Sequence, residues 1–376
     1  MQTTTQTFRQ GHAADADWET LTASCLRQIG EVPAGANIGF VYVTDILDDE
    51  LSLIADRLRA ETGVDTWIGT IGIGVMTGGH EYFEKPAMVA MLGAMAEDSF
   101  RILPTVGRPG DALPADLMNW VGRVNPAFGI VHADPRNPYV LDILNSITDD
   151  TDAFLVGGLT SSRGRHPQLA GSLTEGGVSG ILFADDVPVV TGLSQGCSPV
   201  GEIHSITRAR DNVLCELDGR PAFDVFREDI GDVLARNLER VPHYIHAALP
   251  VSGDDTGDYL VRNLVGLDPA KGLVAIGDRV ADGDRVMFVR RDAPAAVKDL
   301  DRMLRDVAGR ARAKPKAALY FSCVARGPNL FGRDSEELRA VRDAIGEDVP
   351  LVGFFANGEI SKNRLYGYTG VLTLLV

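Results

Sequence analysis

The chain is short of cysteine, of long apolar runs and of basic residues, and each shortage excludes something. Its 376 residues include four cysteines, at 25, 197, 215 and 323, never in a CxxC pair. A zinc knuckle or a thioredoxin-type redox motif therefore has no support. Few, scattered thiols suit the reducing cytoplasm. No apolar run approaches the ~20 residues that a membrane span needs. The opening stretch MQTTTQTFRQGHAADAD is polar and lacks the basic region and apolar core of a secretion signal. Thirty-six Lys and Arg stand against 52 Asp and Glu, a formal charge of −16. No basic cluster offers a nucleic-acid face, and the acidic balance gives little attraction for anionic membranes. The glycine-rich GTIGIGVMTGG (69–79) misses the dinucleotide fingerprint, because Thr77 stands where the third glycine should be, and no P-loop occurs.

What is present is an ordinary globular composition, 45% hydrophobic and 23% charged. The length exceeds one ordinary core, so two domains are expected. A loose tail and a helix capped by Asp17 and ended by Gly30 fill residues 1–34. Then a unit recurs: strand, loop, helix, strand, glycine. It runs through NIGFVYV, DDELSLIADRLRAETG and TWIGTIGIG. It returns as FGIVHAD, PYVLDILNSITDD and AFLVGGLTSS, and again as ALYFSCVARG, DSEELRAVRDAIG and VPLVGFFANGEI. Thr44 to Gly69 and His132 to Gly157 are each 25 residues apart, and Ser322 to Gly353 is 31. These are pseudo-repeats of α/β units, or the look-alikes that any α/β chain yields. Elsewhere GGVSGILFADDVPVVTGLSQG reads as a hairpin about Asp185-Asp186. HSITRARDNVLCELDG reads as strand and turn ending at Asp218-Gly219. A helix opened by Pro221 and running to Val241 marks a hinge, with domains at 35–220 and 221–376. A long amphipathic helix carries Ala296, Leu300, Met303, Val307 and Ala311 on one face. The fold class is α/β, two domains of mixed sheets covered by helices.

The stretch 317–323 is apolar in both alternating sets, so it reads as a strand buried on both faces. It ends at Cys323, Arg326 and Gly327. The sequence leaves catalysis, ligand capture, or packing plus a solvated turn. GFFANGEIS places Gly353, Phe354, Phe355, Asn357, Gly358 and Glu359 in one reversal. If the strands before these two loops are parallel, both loops share one sheet edge, where α/β proteins bind ligands. Arg326 would hold a carboxylate and Glu359 an ammonium. The plain alternative is an Arg–Glu pair that stiffens two loops. Cys323 as a nucleophile needs a nearby base and a lowered pKa; buried structural cysteines are commoner. Cys197, among Gly196, Pro199 and Gly201, is a site wall or turn chemistry. Of the histidines at 12, 80, 132, 166, 204, 243 and 246, His243 and His246 are three apart, a spacing that could chelate a metal on a helix but not on one face of the strand read there. A single haem ligand would leave no spacing signal.

SQGCSPVGEIHSITRARDNVLCELDGRPAFDVF resembles the junction signature of the FIST family. YFSCVARG, then LVGFFANGEIS and a closing YGYTGVLTLL, resemble its C-terminal half. The likeness extends over about residues 35–376 and is looser over 37–180. It implies a cytoplasmic sensory module of signal transduction that binds a small ligand, amino acids among the candidates. It also brings forward haem as a candidate cofactor for nitric oxide sensing. Cys323, Arg326, Gly327, Gly353, Phe354, Asn357, Gly358 and Glu359 match motif positions of the family, and Cys197 lies in another. No output domain is appended, so the implied partner is a separate output protein such as a kinase or cyclase. Three functions follow in order: small-ligand sensor, haem-based gas sensor, and enzyme with Cys323 as nucleophile.

Overall fold

The computed structural model describes residues 8–235, 238, 241–251 and 258–376, the side chains at 232–235 and 243 excepted. Residues 1–7 of the expected tail, and 236, 237, 239 and 240 of the expected hinge helix, lie outside them. The chain forms two compact units. The larger comprises residues through Gln195, Asp299–Leu365 and Thr369–Val376; the smaller comprises Gly196–Lys298 and Tyr366–Tyr368.

The larger unit is built from three copies of one eight-element pattern. The first runs β1 (Phe8–Ala14), α1 (Trp18–Ile29), β2 (Ile38–Thr44), α2 (Leu51–Thr62), β3 (Thr66–Gly72), β4 (Gly74–Thr77), β5 (His80–Phe83) and β6 (Ala87–Gly93). The second runs β7 (Phe100–Val106), α3 (Ala115–Val124), β8 (Phe128–Ala133), α4 (Val140–Thr151), β9 (Phe154–Leu159), β10 (Gln168–Ala170), β11 (Ser172–Thr174) and β12 (Val178–Phe183). The third opens with β13 (Val189–Ser194) and is then interrupted by the smaller unit. That insertion holds β14 (Cys197–Pro199), β15 (His204–Arg210), β16 (Val213–Leu217), β17 (Arg220–Pro221), α5 (Ala222–Ala235), β18 (Ile245–Pro250), β19 (Tyr259–Asp268), β20 (Leu273–Ile276) and β21 (Arg285–Arg291). The third copy resumes with α6 (Ala293–Arg310), β22 (Ala317–Cys323), α7 (Glu336–Ile345), β23 (Leu351–Ala356), β24 (Glu359–Ser361), β25 (Arg364–Tyr366) and β26 (Gly370–Leu375).

Each copy contributes one parallel pair: β2 with β3, β8 with β9, β22 with β23. The pseudo-repeats read from sequence are therefore real units of the fold. The three sheets run β1-β6-β2-β3-β10-β11, β7-β12-β8-β9-β24-β25 and β13-β26-β22-β23-β4-β5. The hairpin that follows each parallel pair leaves its own sheet. It completes another copy's sheet, so the three are exchanged in a cycle. The inner faces share one core, in which Phe40, Tyr42, Ile130, Phe321 and Phe354 are fully buried. Two helices cover each outer face: α1 and α2 over Val41 and Trp67, α3 and α4 over Val131 and Leu155, α6 and α7 over Tyr320 and Phe355.

Local chemistry explains the elements. Asp17 caps α1 by accepting from Thr20 N at 2.8 Å, and Gly30 ends it at φ 69°. Ala296, Leu300, Met303 and Val307 of α6 are buried as the helical spacing predicts. The smaller unit is antiparallel. β21, β15, β16, β20, β19 and β18 pair in succession, and β18 returns to β21, closing the ring. The turn Asp218-Gly219, with φ of 52° and 76°, joins β16 to β17.

Three expectations are revised. Phe8–Ala14, read as part of a loose tail, is an edge strand on β6; its polar side chains hide it from a hydrophobic pattern. The hairpin about Asp185-Asp186 does not form. Both edges of β12 are taken by β7 and β8, so β13 pairs with β26 in another sheet. Asn357-Gly358 is not a tight reversal either. It carries the chain from β23 across to β9, with Asn357 N donating to Leu159 O at 3.0 Å.

One glycine recurs at the heart of each parallel pair. Gly69, Gly157 and Gly353 face Val41, Val131 and Tyr320. A Cβ there would lie 1.7, 1.8 and 1.7 Å from the neighbouring carbonyl oxygen. Gly69→Ala and Gly353→Ala should each destabilise the protein by ~3 kcal/mol or more, as overpacking against rigid backbone does. Urea unfolding checks this; a cost under ~1 kcal/mol at both would deny that the close approach is obligatory.

Candidate ligand site

β22 presents two chemistries, one on each face. Tyr320 and Ser322 point toward α7, while Phe321 and Cys323 point toward the inner side. On the helix side lies a buried ion pair. Arg326 and Glu337 are both fully buried, and Arg326 Nε donates to Glu337 Oε1 at 2.8 Å. Arg326 also donates to Ser194 Oγ at 3.1 Å, and its guanidinium lies 4.9 Å from the Phe331 ring centroid. Glu337 accepts further from the Tyr320 hydroxyl (2.7 Å), the Ser322 hydroxyl (3.1 Å) and Gly327 N (2.9 Å). Such a pair is tolerated in the interior because its hydrogen-bonding capacity is met.

At the inner strand rim the balance differs. Glu359 is fully buried. Its Oε2 accepts from Thr369 Oγ1 at 2.6 Å and from Thr369 N at 3.2 Å. Oε1 has no hydrogen-bond partner. Burial pushes this carboxyl up to about 8, against the opposing pull of the Thr369 bonds, the Arg326 charge and a hydrogen bond with the Cys323 side chain. Cys323 is 7% exposed, and its backbone N donates to Thr369 O at 2.9 Å.

The pseudo-repeats supply internal controls for this position. Aligned on their recurring glycines, Val75, Gln168 and Glu359 are equivalent, since they pair with Phe354, Thr70 and Gly158. Val75 is apolar. Gln168 is satisfied, donating to Gly177 O at 3.0 Å and accepting from Ser179 Oγ at 2.6 Å. Glu359 alone of the three is left with an unpartnered oxygen.

The candidate residues thus divide. The parallel pair places Cys323 opposite Ala356 and brings it to Glu359. Arg326 and Gly327 serve the ion pair with Glu337. Gly353 is at the close strand approach. Phe354 stacks on Tyr42 in the core at 5.2 Å. Asn357 is exposed, and Gly358 O accepts from Leu159 N at 2.8 Å. Cys197 belongs to the smaller unit, where its carbonyl accepts from the Tyr259 hydroxyl at 2.6 Å. Three cavities lined by described residues do not include Cys323 or Glu359.

Sequence reasoning missed Glu337, Ser194 and Thr369. Glu337 had a signal: it lies one position before Leu338 and four before Val341, on the apolar face of α7. A carboxylate there needs a buried partner.

Four of the histidines, at 80, 132, 204 and 246, have surroundings that do not suit a haem. The His132 ring is packed by Tyr42, Phe321 and Phe354, with centroids at 5.5, 6.2 and 5.7 Å. His204 is bonded on both nitrogens, to Asp218 at 2.7 Å and Asp229 at 2.9 Å. His246 is 2% exposed against Tyr368. His80 lines a cavity whose walls include Glu81, Arg333, Asp334 and Arg339, unsuited to a macrocycle. The side chain of His243 lies outside the described residues. Among those residues no group of three His, Cys, Asp or Glu is arranged for a metal ion, and no helix is long and apolar enough to cross a membrane.

Comparison with known proteins places the chain. The FIST N domain model matches residues 37–220 and the FIST C domain model 222–362. The chain belongs to the FIST family. FIST domains are signal-transduction sensory domains. An uncharacterized protein of Mycobacterium tuberculosis strain H37Rv is 31% identical over 347 residues, 88% of each chain. Another, of Mycobacterium bovis, is 30% identical over 364 residues, 92% of each chain. The FIST C match ends before Thr369, the residue that grips Glu359.

Two outcomes test the electrostatics. Glu337→Ala leaves the Arg326 charge buried and unpaired and should cost ~3–5 kcal/mol, whereas the double change to Met at both positions should cost much less than the sum of the singles. Additive costs in a double-mutant cycle would deny the coupling. Glu359 has a folded pKa above its unfolded one, so its contribution is greatest at low pH. It is lost as pH rises from about 4.5 towards about 8. Glu359→Gln should remove part of that fall, measured as unfolding free energy at pH 5 and pH 8; an unchanged slope would contradict the assignment.

Proposed function

We propose that this protein is a sensory module that binds a small polar metabolite at the rim formed by Cys323, Glu359 and Thr369, and passes the signal to a separate output protein in the cytoplasm. The observation that carries the reading is the orphaned Oε1 of Glu359, a polar atom in a fully buried side chain where two equivalent positions are satisfied. Buried polar groups without partners are costly and mark places where a further group belongs. With its carboxyl held toward the protonated form near neutral pH, Glu359 can donate to a ligand acceptor or, once ionised, receive an ammonium. Arg326 acts here as a positioning residue. It is spent on Glu337 and Ser194, and its charge reaches Glu359 from the other side of the strand. Cys323 serves the same rim as a polarizable wall; the group beside its thiol is a carboxyl. An amino acid remains the leading ligand class, from the resemblance of the motifs and from the mixed donor and acceptor character of the rim.

A ligand that prefers the folded state raises its melting temperature by mass action. A panel of amino acids and other small polar metabolites should include one that stabilises the wild-type protein saturably. The shift should vanish in Glu359→Gln and weaken in Cys323→Ser. A shift that survives both substitutions would place the ligand elsewhere.

A further inference from the structure

Glu81 plays no part in that rim. It stands on β5 opposite Met76 of β4. Both of its carboxylate oxygens are shielded from solvent, and neither has a hydrogen-bond partner. Burial first, and the like charge of Glu337 second, push its carboxyl up to about 8. An acid so placed is unfavourable unless something supplies donors. Around it is a cavity of about 400 Å³, within the range of small-ligand sites, walled also by His80, Pro328, Arg333, Asp334, Ser335 and Arg339. Arg333 and Arg339 are exposed. Among the described residues neither guanidinium has an ion-pair partner, although acidic residues outnumber basic ones 52 to 36.

We propose that this cavity is a second small-molecule site, taking a zwitterion whose ammonium group supplies the donors Glu81 lacks and whose anionic group lies against Arg333 and Arg339. The charges decide the class. A simple cation would meet two guanidinium groups, and a simple anion would meet Asp334 and leave the Glu81 oxygens without donors. A ligand with both signs satisfies all three side chains. An ammonium offers three donors to the two orphaned oxygens, and arginine accepts a carboxylate on its fork of N–H groups. The cavity volume limits the ligand to a small one.

Thermal unfolding of the full chain with glycine, β-alanine or γ-aminobutyrate, each at about 10 mM, tests this against ethylamine and acetate as half-ligands. At least one zwitterion should raise the melting temperature saturably, and the half-ligands should not. The shift should be lost in Glu81→Gln and its affinity cut about tenfold or more in Arg339→Gln, while Glu359→Gln retains it. No shift with any of the three zwitterions, or a shift that persists in Glu81→Gln, overturns the proposal. Should Glu81→Gln fail to fold, Arg339→Gln decides, since it alters an exposed side chain; unchanged affinity there also overturns it. A shift lost in Glu359→Gln and kept in Glu81→Gln assigns the ligand to the rim and refutes this site.

Discussion

In each of the three repeats the second strand of the parallel pair has an edge that its own repeat does not cover. β3 is completed by β10, β9 by β24 and β23 by β4. An unpaired row of backbone groups is costly when buried. Each repeat is therefore incomplete until another donates its hairpin, and the exchange ties all three into one core. The same constraint fixes where the loops after the parallel strands go. They cross between sheets, so the residues that follow them arrive beside a different repeat. Glu359 is the clearest case: it follows β23, lies in the sheet of β9, and meets Cys323 of β22 and Thr369 before β26.

The close approach of the parallel strands has a second consequence. With glycine at 69, 157 and 353, no side chain separates the backbones, so the inner faces can be filled by large rings. Tyr42, His132 and Phe321 occupy equivalent positions there, and the Tyr42 hydroxyl meets His132 Nε2 at 3.2 Å. Burial holds His132 neutral by pushing its pKa down to about 3. The core is thus uncharged on its inner side, while the outer side of the third sheet carries the Arg326–Glu337 pair. The buried ion pair and the His132–Phe321–Phe354 ring cluster are thus kept on opposite faces of one strand.

Much of this was legible in the sequence. Helices with a cap, an apolar stripe and a closing glycine were readable because every signal is local, as in Asp17 to Gly30. The repeat was visible in the recurring glycine, whose cause is a strand approach so close that a Cβ would fall under 2 Å from a carbonyl oxygen. The exchange of hairpins was not visible, since neither pairing partner nor sheet change leaves a trace in periodicity. For that reason Asp185-Asp186 reads as a hairpin although β12 and β13 part company. In the site, the meeting of Cys323 with Glu359 followed from parallel strands. The partner of Arg326 did not follow: helical spacing sets Glu337, unlike the exposed Glu336 beside it, on the apolar face of α7 with Leu338 and Val341, but nothing in that spacing says which cation it meets.

The repeats also bear on whether Glu359 is structural. A structural explanation would require the fold to need an acid where β24 begins. The molecule answers from its own parts: at the equivalent point β4 has Val75 and β10 has Gln168, each fully buried, one packed and one with both ends of its amide satisfied. An apolar residue or a paired amide thus meets the demands of this position within the same architecture. Glu359 is the costlier choice, since its burial opposes ionisation and one oxygen is left unmatched. A cost that two sister positions avoid is better explained by a task performed at the third. The neighbours differ in the same sense. Thr44 and Asp134 stand where Cys323 stands, and each is engaged by local hydrogen bonds, Thr44 with the Lys85 carbonyl and Asp134 with Arg136 and Gly176. Both differences at the third rim, a thiol at the strand end and an acid facing it, meet at one point.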